Sequence, residues 1–417
     1  MNQPNTNSGF DRVLACKVTL TVLLFAAILA LASSWSFYYE AMANAYLSLA
    51  LASAVIVLAV LRRCWFDMLW LLCGALFLAL LDWILGYKAF FMSGFSFAGM
   101  SALAVLGVGT IWAGKPDRKL LLYGFVPAAL FVASEWCASY LLDVTELLHP
   151  KTFDVFLYSF DSSLRVQISF LVGQLLLKNP MLRTASLAIY IALPLPLALI
   201  YACQLRRVPE RALVVMLTFL VTGPMGVLCY NLLPACGPVH LFGAAFPWQP
   251  LSTAEAMRLN LAPVLMKGAR NAIPSLHMTW VLLVWWNSRG LARWVRTIAA
   301  VFLALTVLGT LGTGEHYVID LVVAFPFSLM VEALCSYTMP FREGERRNAF
   351  LVGTFSTLVW LALLSFSVKI FWSSPLVPWT MIVATASSSI YFWQRLLRAG
   401  TKQDSVQRAV AAAAVGA

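Results

Sequence analysis

Long apolar runs recur along almost the whole of this 417-residue chain, and they constrain its fold more than any other feature. A run of about 18 or more apolar residues can cross the roughly 30 Å hydrocarbon layer of a membrane as a helix. Since 61% of the residues are hydrophobic and only 11% are charged, no soluble domain fits between the runs. The sequence therefore predicts an all-α, polytopic bundle of about twelve transmembrane helices. The predicted helices cover residues 14–36, 41–61, 64–86, 94–113, 120–141, 184–205, 211–233, 274–288, 295–313, 317–337, 350–371 and 376–396.

Lysine and arginine residues gather in alternate connections between these runs, and this pattern predicts the orientation of the helices. Because positively charged loops stay in the cytoplasm, we expect both termini there and the chain in a plasma (inner) membrane. The long connections 143–183 and 234–273 then lie on the extracytoplasmic side. The loop residues also account for the net charge of +11, so no nucleic-acid partner is predicted. The basic residues are Arg62, Arg63, Lys115, Arg118, Lys119, Arg206, Arg207, Arg211, Arg289, Arg293, Arg296, Arg342, Arg346 and Arg347.

The chain divides into four predicted regions. Residues 1–143 form an N-terminal region of five helices, and residues 144–340 form a core that contains the polar motifs. Residues 341–396 supply two more helices, and residues 397–417 are predicted to be a disordered cytoplasmic tail. Within the core, residues 153–164 place apolar and charged side chains at helical spacing. This spacing predicts either an amphipathic helix in the membrane interface or a solvent-side cap on the bundle.

Two polar motifs interrupt the apolar pattern, and each contains one of the four histidines of the chain. The first motif runs from Arg270 to His277, and the second includes His316 and Asp320. A single helical hairpin between them brings both motifs to the same face of the membrane. On a helix, His316 and Asp320 share a face, so the carboxylate can accept one ring N–H and leave the other ring nitrogen as a nucleophile. His277 would then protonate the leaving oxygen.

The residues around these motifs favour phosphoryl transfer. Negative charge builds up on the phosphoryl oxygens during that reaction, so the site needs fixed donors and cations. Lys267, Arg270 and Ser275 can supply them, together with the free N–H groups at the start of the next helix. Tyr230 and Asn231 end the preceding helix on the same face and can shape one wall of the pocket. These five residues are the predicted substrate-binding residues.

Both motifs resemble those of a known enzyme family. Pro274-Ser-Leu-His277 and His316-Tyr-Val-Ile-Asp320 are similar to the second and third signatures of the type 2 phosphatidic acid phosphatase superfamily. The first motif looks most like the branch that contains the aureobasidin-sensitive inositol phosphorylceramide synthases, an inositolphosphotransferase family. In that branch, as here before His277, a leucine precedes the histidine. Residues 154–161 also look like a segment of that branch.

The resemblance covers about residues 150–340 and implies a phosphatidic-acid-phosphatase-like core. It further implies a mechanism without metal or cofactor that passes through a phosphohistidine on His316. The sequence departs from the superfamily pattern at Gly309-Thr310, where a Ser-Arg pair usually stands, and its first basic signature is replaced. Phosphate binding would therefore depend on Lys267 and Arg270.

Together, these residues predict a membrane-embedded lipid phosphotransferase or phosphatase whose active site opens to the extracytoplasmic side. Its substrate would be a membrane lipid, with an alcohol or polyol headgroup as the candidate acceptor. A simple lipid phosphate or polyprenyl pyrophosphate phosphatase is an alternative, and a non-enzymatic transporter is another, although the polar groups cluster at one surface. His277, His316, Asp320 and Glu315 could instead bind a divalent metal ion, but their spacing is not that of a zinc site, so no metal is predicted.

Overall fold

The chain separates into two compact units, each built from two segments. The first consists of Met1–Trp136 and Pro194–Leu213, and the second of Cys137–Leu193 and Val214–Ala417. The computed structural model describes residues 7–33, 45–62, 64–86, 93–342 and 344–415. Parts of two predicted helices, residues 34–36 and 41–44, lie outside the described residues.

Helices make up almost all of the described secondary structure. Two short strands, β1 (Lys151–Thr152) and β2 (Val264–Leu265), pair antiparallel. The α-helices are α1 (Asn7–Ser33), α2 (Ala45–Leu61), α3 (Trp65–Ile84), α4 (Ser93–Trp112), α5 (Lys115–Leu148), α6 (Asp154–Ser163), α7 (Ile168–Lys178), α8 (Pro180–Ile191), α9 (Pro194–Arg207), α10 (Pro209–Leu232), α11 (Pro238–Phe242), α12 (Thr253–Met257), α13 (Leu276–Asn287), α14 (Arg293–Gly312), α15 (Val318–Cys335), α16 (Gly344–Phe366) and α17 (Leu376–Val415).

Eight of the described helices are long and apolar enough to cross a membrane, or up to nine if the bent pair α8 and α9 forms one span. The predicted count of twelve spans is therefore not confirmed, although every predicted segment overlaps a helix. Two of the predicted segments are not counted as spans because their helices are too short. Helix α2 has 17 residues and α13 has 12, fewer than the roughly 20 that cross the hydrocarbon layer.

In the first unit, small side chains allow close helix packing. A Cβ atom on Gly99 of α4 would lie 2.2 Å from the backbone carbonyl carbon of Leu51 in α2, so only glycine fits there. Nearby, the Ser96 hydroxyl donates to the Ser48 hydroxyl at 3.1 Å. Small residues and hydroxyl contacts of this kind are typical of helix pairs in a membrane.

The second unit is built around α15, most of which is buried. On one side, Gly353 of α16 lies so close that a Cβ atom would be 2.6 Å from the backbone nitrogen of Met330. On another side, the ring of Phe160 packs edge-on against Trp360 and Phe371, with centroid distances of 5.5 and 4.7 Å. The helices predicted as a separate C-terminal region, residues 341–396, thus belong to the same compact unit as the core.

Helix α6 differs from both sequence-based expectations. All ten of its residues are buried, whereas an interfacial helix or a solvent-side cap would expose one face. Its acidic side chains are satisfied inside the unit: Asp161 accepts a hydrogen bond from the N–H of Val318 at 2.8 Å. The predicted helix is thus present, but its polar positions face protein partners rather than water.

The last helix is longer than expected. Helix α17 continues to Val415, so most of the stretch 397–417, for which the sequence analysis expects a disordered tail, is helical. Several alanines lie in this stretch, and alanine has the highest intrinsic helix propensity.

Candidate active site

The ring of His316 lies buried immediately before α15. Its Nδ1 atom is 2.8 Å from the carbonyl oxygen of Ala272 and 3.4 Å from Oδ2 of Asp320. A carbonyl oxygen can only accept a hydrogen bond, so Nδ1 carries the ring proton. In the neutral ring the lone pair is then on Nε2, which can act as a nucleophile.

The partner of Nδ1 differs from the predicted one. The sequence analysis places His316 and Asp320 on one helical face, but the helix begins at Val318, so His316 precedes it. Oδ2 of Asp320 instead accepts the N–H of Tyr317 at 2.7 Å, which satisfies a donor at the start of the helix. Asp320 remains within ion-pair distance of the ring, while the Ala272 carbonyl is the closer acceptor.

His277 lies in the first turn of α13, and the centroids of its ring and the His316 ring are 6.4 Å apart. The structure thus brings the two polar motifs together. The His277 ring also stacks on Tyr190 of α8, with a centroid distance of 3.8 Å and an interplanar angle of 15°. An aromatic residue inside an apolar helix gives no sequence signal for this contact, so sequence reasoning missed Tyr190.

Gly309 is the residue that allows α8 to approach α14. A Cβ atom there would lie 3.1 Å from the carbonyl oxygen of Ser186 and 3.5 Å from Cβ of Tyr190. The departure from the expected Ser-Arg pair at this position therefore has a packing role, because the small residue brings the helix with Tyr190 close to α14.

Ser275 is fully buried and forms the N-cap of α13. Its hydroxyl oxygen accepts the N–H of Met278 at 3.3 Å, and its own N–H donates to the backbone carbonyl of Asp320 at 3.2 Å. The residue predicted to bind substrate thus fastens the start of α13 to the start of α15, which holds the two histidine segments side by side.

Arg270 is fully buried, and its guanidinium group is directed at the protein. Nε and Nη2 donate to the carbonyl oxygens of His149, Pro150 and Met266 at 2.8, 3.2 and 2.9 Å. Nη1 donates to the Gly268 carbonyl and, at 3.4 Å, to Sγ of Cys236. These acceptors occupy all five N–H groups of the side chain.

The other predicted cation has a different environment. Lys267 lies three residues before Arg270 and its side chain is exposed. Arg270 donates to the carbonyl oxygens of Met266 and Gly268, so it holds the backbone on both sides of Lys267.

The two predicted residues at the end of α10 point in different directions. The hydroxyl of Tyr230, which is buried, donates to the carbonyl of Pro274 at 3.3 Å, so it contacts the segment before His277. The side-chain oxygen of Asn231 lies 2.9 Å from Nε2 of His149 instead. The structure brings Tyr230 to the histidine segments and directs the Asn231 side chain to His149.

Asp161 contributes to the start of α15. Its carboxylate accepts the N–H groups of Val318 and Ile319 at 2.8 and 3.3 Å, directly after the His316 segment. Burial raises the pKa of Asp161 to about 8, and the two N–H bonds oppose the rise. The resemblance points to the segment that contains Asp161, but local sequence does not show this long-range contact.

His240 and Glu315 form a partly exposed pair beside the site. Nε2 of His240 lies 3.8 Å from Oε2 of Glu315, and the side chains are 31% and 39% exposed. The Glu315 carboxylate raises the pKa of His240 because it stabilises the imidazolium form. Solvent therefore reaches the residue that directly precedes His316.

Comparison with known protein families gives a match to the segment that contains this site. No curated protein and no solved structure matches the chain. The branch of inositol phosphorylceramide synthases is accordingly not confirmed. Residues 155–334, which include His277, His316 and Asp320, match the family model described as the PAP2 superfamily.

Proposed function

We propose that this chain is a membrane-embedded enzyme that cleaves a lipid phosphoester through a phosphohistidine on His316. The observation that carries the proposal is the hydrogen bond from Nδ1 of His316 to the Ala272 carbonyl, because it selects the tautomer of the neutral ring that has its lone pair on Nε2. The match of residues 155–334 to the PAP2 superfamily supports a lipid phosphatase-like reaction. The apolar helices supply a membrane setting in which a lipid is the natural substrate.

The reaction proceeds in two steps. Nε2 of His316 attacks the phosphorus atom, and the P–O bond to the leaving group breaks. The leaving group is the lipid alcohol of a phospholipid or the lipid phosphate of a polyprenyl pyrophosphate, and its oxygen takes a proton from His277. The phosphorylated ring retains its Nδ1 proton and is positively charged, so the carboxylate of Asp320 at 3.4 Å stabilises it. An acceptor oxygen then attacks the phosphorus, His277 accepts the acceptor's proton, and the P–N bond breaks.

The phosphoryl oxygens need positive charge in both steps. We assign Lys267 to this role, since its side chain is exposed. Arg270 supports the site by holding the loop that contains Lys267 and Ala272, because its N–H groups are directed at backbone carbonyls and a sulfur atom. Tyr230 and Ser275 support the proposed binding region, since they contact the Pro274 carbonyl and the Asp320 carbonyl, whereas the side chain of Asn231 is directed to His149.

The acceptor decides between two reactions of the same class. A water molecule gives a free phosphate, as in a lipid phosphate or polyprenyl pyrophosphate phosphatase. When the donor is a phosphodiester, its headgroup stays on the phosphorus bound to His316, and the hydroxyl of an alcohol or polyol then gives a new phosphodiester, as in the inositol phosphorylceramide synthases that the motifs resemble. We propose that either reaction takes place on the extracytoplasmic side, at the level of the lipid headgroups, where a charged phosphate need not enter hydrocarbon.

Turnover by the purified, detergent-solubilised full chain tests this function. Labelled phosphatidic acid, polyprenyl pyrophosphate and an inositol phospholipid mixed with ceramide would each be supplied, and the products separated by chromatography. We expect at least one substrate to be turned over, with His316→Ala reducing kcat by about 10³-fold or more. His149→Gln is the matched control, since it replaces a histidine but retains the carbonyl that Arg270 contacts.

Two results would contradict the proposed function. Wild-type protein that turns over none of the lipid phosphoesters would favour a transporter. Equal turnover by wild type and His316→Ala would place the chemistry elsewhere.

A further inference from the structure

The loop of residues 235–237 is held between two charged side chains of opposite sign. On one side, the fully buried carboxylate of Asp154 accepts the N–H of Cys236 at 3.0 and 3.2 Å and the N–H of Gly237 at 2.7 Å. On the other side, Arg270 donates to Sγ of Cys236 at 3.4 Å. Charge-assisted hydrogen bonds of this kind are about twice as strong as neutral ones, so the loop has little freedom to shift.

This loop fixes the acceptor that His316 uses. The carbonyl oxygen of Ala235 accepts the N–H of Ala272 at 3.1 Å, and the carbonyl oxygen of Ala272 then accepts Nδ1–H of His316 at 2.8 Å. A shift of the loop would therefore move the group that keeps the proton on Nδ1.

A second path leads from the same carboxylate to Tyr317, the residue that follows His316. The hydroxyl of Tyr317 donates to Oδ1 of Asp154 at 3.0 Å, and the N–H of Tyr317 donates to Oδ2 of Asp320 at 2.7 Å. Tyr317 directly follows His316 and is fully buried. Asp154 thus holds the residue next to the nucleophile as well as the loop behind its acceptor.

We propose that Asp154 is a positioning residue that keeps His316 in the Nδ1-protonated tautomer, through the 235–237 loop and through Tyr317. The inference rests on the proposed function, since Asp154 acts on the same nucleophile through the residues that contact His316. Loss of the Nδ1 contact lets the proton move to Nε2, and a protonated Nε2 has no lone pair for phosphorus.

Two variants test the proposal, and they disturb the contacts of Asp154 to different extents. Asp154→Asn replaces one acceptor oxygen by an amide that faces several donors, so it disturbs both paths. Tyr317→Phe removes a single hydroxyl and remains informative if Asp154→Asn does not fold. Tyr158→Phe is the matched control: Tyr158 is a buried tyrosine of α6 whose hydroxyl oxygen accepts the N–H of Leu251 at 2.9 Å, a residue that belongs to neither path.

The readout is the tautomer of His316, measured by NMR on the full chain with ¹⁵N-labelled histidine. The chain has only four histidines, and the signal missing from His316→Ala identifies the one in question. We expect Nδ1 to be protonated in the wild type and in Tyr158→Phe. In Tyr317→Phe and Asp154→Asn the Nε2-protonated form should be populated. We expect kcat to fall by about 10- to 100-fold, the range found when a group that orients a metal-binding histidine is lost, and KM to stay within about twofold of wild type.

The opposite results are equally clear. The assignment would be overturned if Asp154→Asn and Tyr317→Phe both kept the wild-type tautomer and kcat. It would also be overturned if the two variants lost no more kcat than the control Tyr158→Phe. Full activity of His316→Ala would overturn the proposed function instead, while the tautomer measurement would still decide whether Asp154 positions the ring.

Discussion

The Nδ1 atom of His316 lies 2.8 Å from the carbonyl oxygen of Ala272, so a backbone group holds the proton of the proposed nucleophile. In the usual arrangement of a catalytic histidine, a carboxylate has this role. Here the carboxylate of Asp320 is 3.4 Å away and also accepts the N–H of Tyr317. The two tasks of orienting the ring and balancing its charge are thus divided between a carbonyl and a carboxylate.

This division predicts a moderate effect for Asp320→Asn. The substitution removes the charge that stabilises the phosphorylated ring, and we expect kcat to fall by about 10²- to 10³-fold, less than the roughly 10⁴-fold loss seen when the tautomer is also lost. The ¹⁵N spectrum should still show a proton on Nδ1 of His316. A loss above that range, together with a change of tautomer, would mean that Asp320 and not Ala272 orients the ring.

Gly237→Ala should be strongly destabilising. Gly237 has a φ of +121°, and a Cβ atom would lie 2.4 Å from the carbonyl oxygen of Glu315, the residue before His316. The backbone conformation alone costs on the order of 1–3 kcal/mol in a residue with a side chain, and the steric contact adds to it. Thermal unfolding in detergent and kcat should both show the loss.

Gly243→Ala provides the control for this substitution. Gly243 also has a positive φ, +52°, but no atom lies within 4 Å of the added Cβ. We expect a lower Tm from the backbone term and near-normal kcat. Equal effects of the two substitutions on kcat would argue against the close packing of the 235–237 loop on the His316 segment.

The His240–Glu315 pair predicts a pH-dependent contribution to stability. Glu315 raises the pKa of His240 in the folded state, so the stabilisation is fully present below the unfolded value of about 6.5 and is lost as pH rises through the raised value. Both side chains are partly exposed, which limits the effect to about 1 kcal/mol or less. Glu315→Gln should therefore lower Tm at about pH 6 and not at pH 9. In a His240→Asn background this difference should disappear, and its persistence would assign the effect to other groups.

The extracytoplasmic position of the site is testable by labelling single cysteines. Ala254 lies in α12 and is exposed, and its replacement leaves the capping box of Ser252 and Glu255 intact. Ala254→Cys should react with an impermeant thiol reagent on intact cells, and Arg293→Cys at the start of α14 should be protected. The reverse labelling would place the site in the cytoplasm. The background lacks the exposed or partly exposed cysteines, which are Cys16, Cys64, Cys73, Cys137 and Cys203, and keeps the three buried ones.

The hairpin that joins the two histidine motifs could be predicted from the sequence. Helices α13 and α14 follow from apolar runs, and a hairpin returns the chain to the face where it started. Its geometry therefore brings His277 near His316 without any knowledge of the packing. The length of each helix could not be predicted as well, because hydropathy does not show that α13 begins only at Leu276, after the capping residue Ser275.

The supporting residues could not be predicted, because their contacts are distant in sequence. Asp154 contacts residues 82 and 163 positions away, and no local spacing encodes such a pairing. The sequence predicts that Arg270 binds phosphate, since phosphoryl transfer needs fixed cations, whereas the structure surrounds its side chain with backbone acceptors. In both cases a buried charge collects the donors or acceptors of several loops, which local sequence patterns do not reveal.

Trapping the phosphoenzyme tests the central claim most directly. The purified full chain would be mixed briefly with ³²P-labelled lipid phosphate, quenched in alkali, which preserves phosphohistidine, and digested for mass spectrometry. We predict an acid-labile label on the peptide that contains His316, absent from His316→Ala and present in the control His149→Gln. A label on another residue, or turnover of the same substrate without any labelled protein under these conditions, would contradict the assignment of His316 as the nucleophile.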